Sequence, residues 1–273
     1  MAKNALVKAP SSLLPAIVTE FGKQGKDDVF SVSDNMEGVT PKIPKLEMSK
    51  DGVFLFPDGE IVKSFKGVIL HHHGARAWWE NSEVTGSAPD CFSNDGSLAE
   101  PGKDKCPLSP QLRAANLEKY KTELVCGTCP MNEWGSRSDG KPGKACKEMH
   151  IMFVLAVEKD LASAVPYRLS LPPSSLKDKD AYFTMLTGKD IPFPTVITQF
   201  GLNKVTNSDG QPYAEIVLKS DTKVRLARDD QLVLKGLIKQ YKNAFSQKLD
   251  EAEYAVQEEQ PAAPEEGADK IAF

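Results

Sequence analysis

Between residues 85 and 147 the chain is built largely of Gly, Pro, Ser, Asp and Cys, and this stretch constrains the fold more than any other. All five cysteines fall inside it, from Cys91 to Cys146, and residues 111–121 are its one short helical candidate. Too few apolar side chains are present for burial alone to hold the segment together. An odd number of cysteines, two of them spaced Cys126-Gly127-Thr128-Cys129, fits a metal site better than a disulfide framework. The two-residue gap lets both thiolates and nearby N–H groups fold around one tetrahedral zinc, whose binding energy then becomes folding energy. One such pair is half a site. The remaining ligands come from Cys91, Cys106, Cys146 or His150, and Cys146 with His150 has the three-residue gap of many zinc fingers. A thiol redox pair fits less well, because no βαβ pattern surrounds the motif.

Strand signals flank this segment on both sides. Ile43, Leu46 and Met48 precede the turn Lys50-Asp51-Gly52, and residues 53–56 run into a second turn at Pro57-Asp58-Gly59. Residues 60–73 form a longer β-rich run in which Gly67 suggests a bend or bulge. Residues 75–80, with Trp78 and Trp79, are expected to pair back on that run across a turn at Gly74. Beyond the cysteines, residues 149–157 and 167–171 read as strands. Pro172-Pro173-Ser174-Ser175 reads as the start of a helix over 176–187, with a serine capping its first N–H groups. Residues 195–204 and 213–219, separated by Asn207-Ser208-Asp209-Gly210, read as a hairpin. Leu234, Leu237, Ile238, Tyr241, Phe245 and Leu249 recur at helical spacing, and Asp229 and Asp230 favour the N-terminus of that helix.

These elements predict a mainly β (α+β) protein: an OB-like Greek-key barrel over 41–227 with a cysteine-rich zinc-binding insertion at about 85–147. A loosely ordered arm over 1–40 precedes it, with a short helical candidate at residues 13–21. A C-terminal helix over 228–256 and a disordered acidic tail over 257–273 follow.

Charge separates body from tail. Residues 250–273 carry a net −7, which leaves +3 for residues 1–249 of a chain whose total is −4. A basic body suits polyanions, and an acidic tail does something else. No apolar run approaches the roughly 18 to 20 residues of a membrane span. The start Met-Ala-Lys-Asn lacks the charged-then-apolar pattern of a secretory signal, so a cytoplasmic protein is expected.

Four motifs occur in order: Pro-x-Cys-x-Ser-x-Asp-Gly at 89–96, Cys-x-x-Cys-Pro-x-x-x-aromatic-Gly-Ser at 126–136, a segment at 141–147 set against the pattern Gly-x-Gly-Lys-x-Cys-Lys, and Leu-Pro-Pro-x-Ser-Leu at 171–176. Over about residues 65–218 the chain thereby resembles a family of phage and prophage zinc-containing proteins similar to single-stranded DNA-binding proteins. It departs from their pattern at Pro142, where a small residue is usual, and in carrying Cys106. The resemblance implies Cys91, Cys126, Cys129 and Cys146 as zinc ligands. It also implies single-stranded DNA binding in phage or prophage replication or recombination, in the host cytoplasm if the chain is phage-encoded.

Non-sequence-specific binding of single strands uses a basic groove and aromatic faces on which bases stack. Arg76 and Trp78 are expected to share one strand face, with Trp79 on the other, so that one tryptophan is core and the other meets a base. Lys63, Lys66, Arg168, Lys204, Lys219, Lys223 and Arg225 are the candidate phosphate contacts. The chain ends Asp269-Lys270-Ile271-Ala272-Phe273, which resembles the acidic, aromatic-closed tails of bacterial and phage single-stranded DNA-binding proteins. Asp269, Ile271 and Phe273 are therefore expected to recruit replication or recombination partners, a ring and a carboxylate being captured together. The helix before the tail could mediate self-association or equally pack on the barrel.

No catalytic constellation is present. The chain lacks H-x-E with P-C-x-x-C, H-E-x-x-H, a phosphate-binding glycine loop and G-x-S-x-G. Of His71, His72 and His73, alternation lets at most His71 and His73 converge, and a polar strand end is the simpler expectation. The competing readings are a zinc-bearing transcription or recombination accessory that mainly binds protein, and a metalloenzyme of unrecognised type.

Overall fold

The computed structural model describes residues 42–79, 89–101, 124–137, 140, 142–157, 165–206, 210 and 212–247. The arm, the helical candidates at 13–21 and 111–121, Cys106 and the acidic tail lie outside them. The chain divides into two compact units. The first comprises Met1–Arg76, Asn94–Gly96 and Lys147–Lys248, and the second Ala77–Ser93, Ser97–Cys146 and Leu249–Phe273. The cysteine-rich segment thus falls in the second unit, which starts at Ala77.

The first unit is mainly β, a sheet curled into a half-barrel and accompanied by two helices. Strands β1 (Lys45–Met48), β2 (Phe54–Leu55) and β3 (Ile61–Val62) form an antiparallel meander. Its two turns fall where the Asp-Gly pairs require them, with Gly52 at φ 78° and Gly59 at φ 89°, a backbone region open to glycine at little cost. β1 lies parallel to β9 (Tyr167–Leu171), which is antiparallel to β8 (Lys147–Ala156). β8 neighbours the 15-residue β4 (Ser64–Trp78), whose first residues pair with β10 (Thr198–Thr206), itself paired with β11 (Pro212–Ser220).

Gly67 is required by close approach, since a Cβ there would lie 2.6 Å from Val154 Cγ1 and 2.9 Å from the Leu155 carbonyl oxygen. Side-chain alternation then slips by one along β4. Ile69 joins the same core cluster as Phe65, four residues earlier, yet His72, three residues further on, packs on Phe183 and Phe193, which border that cluster. The expected hairpin across Gly74 does not form, because β4 runs straight through it. A Cβ on Gly74 would meet nothing within 4 Å, so neither a turn nor a close approach requires glycine there.

Helix α1 (Leu176–Gly188) covers one side of the sheet and buries Tyr182 and Leu186. Its core holds Phe54 edge-on to Phe65 at 5.0 Å and Phe65 stacked on Phe200 at 4.7 Å. Tyr182 and Thr198 share a buried hydrogen bond of 2.7 Å. Ser175 makes no capping bond. Its hydroxyl instead accepts the N–H of Ile216 at 3.0 Å, which ties the start of α1 to β11. Helix α2 (Arg228–Phe245) begins where Asp229 and Asp230 predict and buries Leu234, Leu237 and Phe245. Phe245 meets Phe153 of β8 at 4.6 Å. Expected helix residues from 248 onward lie outside the described residues. No helix among the described residues is long and apolar enough to cross a membrane.

In the second unit β5 (Cys91–Ser93) pairs with β6 (Leu98–Pro101), and β6 with β7 (Leu124–Val125). Two 3-10 turns follow, Cys126–Thr128 and Pro130–Asn132.

Candidate functional site

Three strands of the first unit build the basic surface. Gln199 of β10 stands opposite Lys66 of β4 on one side and Lys219 of β11 on the other. Cross-strand partners share a face, so these three side chains form one row, and all three are exposed. One position along, Phe200 stands opposite Phe65 and Leu218 and faces the core. The row lines an open cleft of about 480 Å³, floored by apolar residues including Ile197 and Leu226, with Asp221 as its one acidic member.

The other expected contacts are placed differently. Lys63 and Lys223 are exposed. Arg225 spends its guanidinium on the carbonyls of Thr222 and Val224 in its own loop. Lys204 pairs with Asp51 at 3.3 Å, an exposed contact of about 0–1 kcal/mol that a phosphate could displace. Arg168 is not a surface residue: it is 5% exposed on β9, because β9 is flanked by β1 and β8. Arg76 lies 3.8 Å from Glu148 with its side chain largely covered. The expected division of the tryptophans also fails, since Trp78 and Trp79 are 9% and 8% exposed and neither offers an open face to a base. Sequence reading missed Gln199, whose place in the row only the register reveals. It also missed Lys189, whose Nζ donates to Thr222 beside the cleft at 3.0 Å.

In the second unit Cys91, Cys126, Cys129 and Cys146 are thiols, and the first two are buried. The backbone around them is well tied: Cys126 N–H donates to Ser97, Cys129 N–H to Cys126 and Cys146 N–H to Met131. Four thiols in one unit supply the donor chemistry zinc takes. Among the described residues, however, no three His, Cys, Asp or Glu side chains are grouped as a metal site. His150, an alternative ligand by spacing, belongs to the first unit and bonds to His72 instead. The unit also carries Trp134, at 76% the most exposed large apolar side chain described.

The four histidines of the chain gather on β4 and β8. His71 and His73 lie on one face, their ring centroids 5.7 Å apart. His71 stacks on Phe245 at 5.3 Å, so these residues are covered mid-strand and not at a polar strand end. His72 Nδ1 and His150 Nε2 are 2.9 Å apart on the opposite side, where Phe183 packs on His72 at 4.3 Å. Lys179 of α1 donates to His150 Nδ1 at 3.4 Å while pairing with Asp180. A neutral imidazole has one donor and one acceptor nitrogen, so His150 Nε2–H donates to His72 Nδ1. Burial, reinforced by the charge of Lys179 and by the other ring, lowers the His150 pKa to about 3. Burial, with its histidine neighbours and Lys179, lowers that of His72 to about 4. Burial lowers His71 as well. The pair is therefore neutral near pH 7 and links β4, β8 and α1.

No protein-family model, curated protein or solved structure matches the chain.

Proposed function

We propose that this is a single-stranded DNA-binding protein of phage or prophage replication or recombination, a binding protein and not an enzyme, acting in the host cytoplasm. The observation that carries the reading is the Lys66–Gln199–Lys219 row above an apolar-floored cleft. Two ammonium groups can meet phosphates, the amide can meet a base edge or sugar, and the floor can take apolar base surface. On this reading the half-barrel is of the OB type, whose strand faces bind oligonucleotides. Cys91, Cys126, Cys129 and Cys146 would hold a structural Zn2+ that stabilises the second unit. The acidic segment, net −7 over residues 250–273, would compete with phosphates for the row. Displaced by DNA, it would become available to replication or recombination partners.

Oligo-dT binding measured against salt tests this. A K66E/K219E variant should lower the log–log salt slope by about 1.4, at roughly 0.7 per single-strand phosphate contact. Deleting residues 258–273 should tighten binding most at low salt. A chain that binds neither oligo-dT nor other single strands, yet captures a replication protein, would favour the protein-binding accessory reading.

A further inference from the structure

Trp134 stands where the second unit has no apolar reason to place it. It follows the 3-10 turn Pro130–Asn132, in a loop whose backbone is tied to the segment ending at Cys146. Gly135 N–H donates to the Gly143 carbonyl at 2.8 Å, and Cys146 N–H to that of Met131 at 2.8 Å. The Ser136 hydroxyl donates to Met131 and accepts from Ala145 N–H, both at 2.9 Å. Asn132 donates to the Cys126 carbonyl at 3.0 Å and accepts from Lys144 Nζ at 3.2 Å. Gly135 at φ 88° and Gly143 at φ 137° take conformations that side chains resist. The result is a braced knuckle with the indole at its tip, so little ordering cost remains when the ring meets a ligand.

Charge narrows the class of ligand. Arg137 follows Trp134 by three residues, and Lys144, bonded to Asn132 two residues before the indole, lies on the segment that braces the loop, with Glu133 the one described acid next to Trp134 in the chain. Arg137 Cδ lies 3.2 Å from where a Cβ on Gly143 would sit, which places its stem against the braced segment. An exposed aromatic face with cations beside it is the arrangement that takes an unstacked base and its phosphate. The geometry points to Trp134 as a base-stacking residue for single-stranded nucleic acid, the role that buried Trp78 and Trp79 cannot fill. This assignment rests on the single-strand reading and locates a contact of it in the second unit.

The experiment uses the full chain and labelled oligo-dT, with tryptophan fluorescence read in parallel. W134A should weaken binding about 5- to 150-fold. W134F should keep most of the affinity, because phenylalanine also stacks, while losing most of the DNA-induced quenching. Unchanged affinity in W134A, or quenching that persists in W134F, overturns the assignment. If K66E/K219E still weakens binding in that case, the single-strand reading survives it. Absence of oligo-dT binding by the unaltered chain overturns both. Loss of self-association in W134A on sedimentation, with DNA affinity unchanged, assigns the indole to a contact between copies instead.

Discussion

The two units are held in opposite ways. The first buries Phe54, Phe65, Phe200 and a broad aliphatic cluster between its sheet and α1. In the second, the described buried apolar residues beyond its cysteines are Ala77, Trp78, Trp79, Pro89 and Phe92, while Leu98, Val125 and Trp134 stay exposed. Its turns are braced by backbone and side-chain hydrogen bonds, each contributing only about 0.5–1.5 kcal/mol net. A core stabilises every residue that joins it, whereas such a network holds only while its anchor holds. The proposed zinc supplies that anchor.

The comparison breaks most sharply on metal removal. Structural zinc contributes on the order of 10 kcal/mol to small sites, so a strong chelator should expose the amides around Cys126 and Cys146 to hydrogen exchange. Those of β8 and β10 should stay protected. Purified protein should carry one zinc equivalent, and Cys126→Ser should reproduce the effect of the chelator while Cys106→Ser does not. Equal protection with and without chelator would leave the hydrogen-bond network as the sole support.

Phe200→Ala acts the other way round. It removes a fully buried ring stacked on Phe65 and should cost about 3–5 kcal/mol, read as a lower denaturant midpoint for the first unit. A loss under about 1 kcal/mol would mean that the phenylalanine cluster is not the centre of that core.

Acid should separate the units more gently, because all four histidines belong to the first. Unfolded histidines take up protons near pH 6.5, whereas folded His72 and His150 resist until about 4 and about 3. Between these values the unfolded chain binds more protons, so stability rises with pH and is lost as pH falls from about 6.5 toward 4 for His72 and toward 3 for His150. The slope of stability against pH near 5 should correspond to an uptake of up to about two protons on unfolding. Replacing His72 with Gln should reduce it by about one. A flat profile between pH 6.5 and 4.5 would show that the pair is solvated.

Local patterns in the chain were enough to place β9, α1, the start of α2 and the β10–β11 hairpin, because each is announced by its own periodicity or turn residues. The thiols and the charge contrast between residues 1–249 and 250–273 are likewise written in the sequence. What only the tertiary structure decided is which face each side chain meets. Gly74 reads as a turn but lies inside β4. Ser175 reads as a helix cap but bonds to Ile216. Arg168 and Trp78 read as surface but are buried, while Trp134 is left exposed. His150, by spacing one of several candidate ligands, meets His72 across two strands. In every case the deciding neighbour lies far along the chain. Local spacing sets a residue's conformation, but burial and partnership depend on the strand or helix that packs against it.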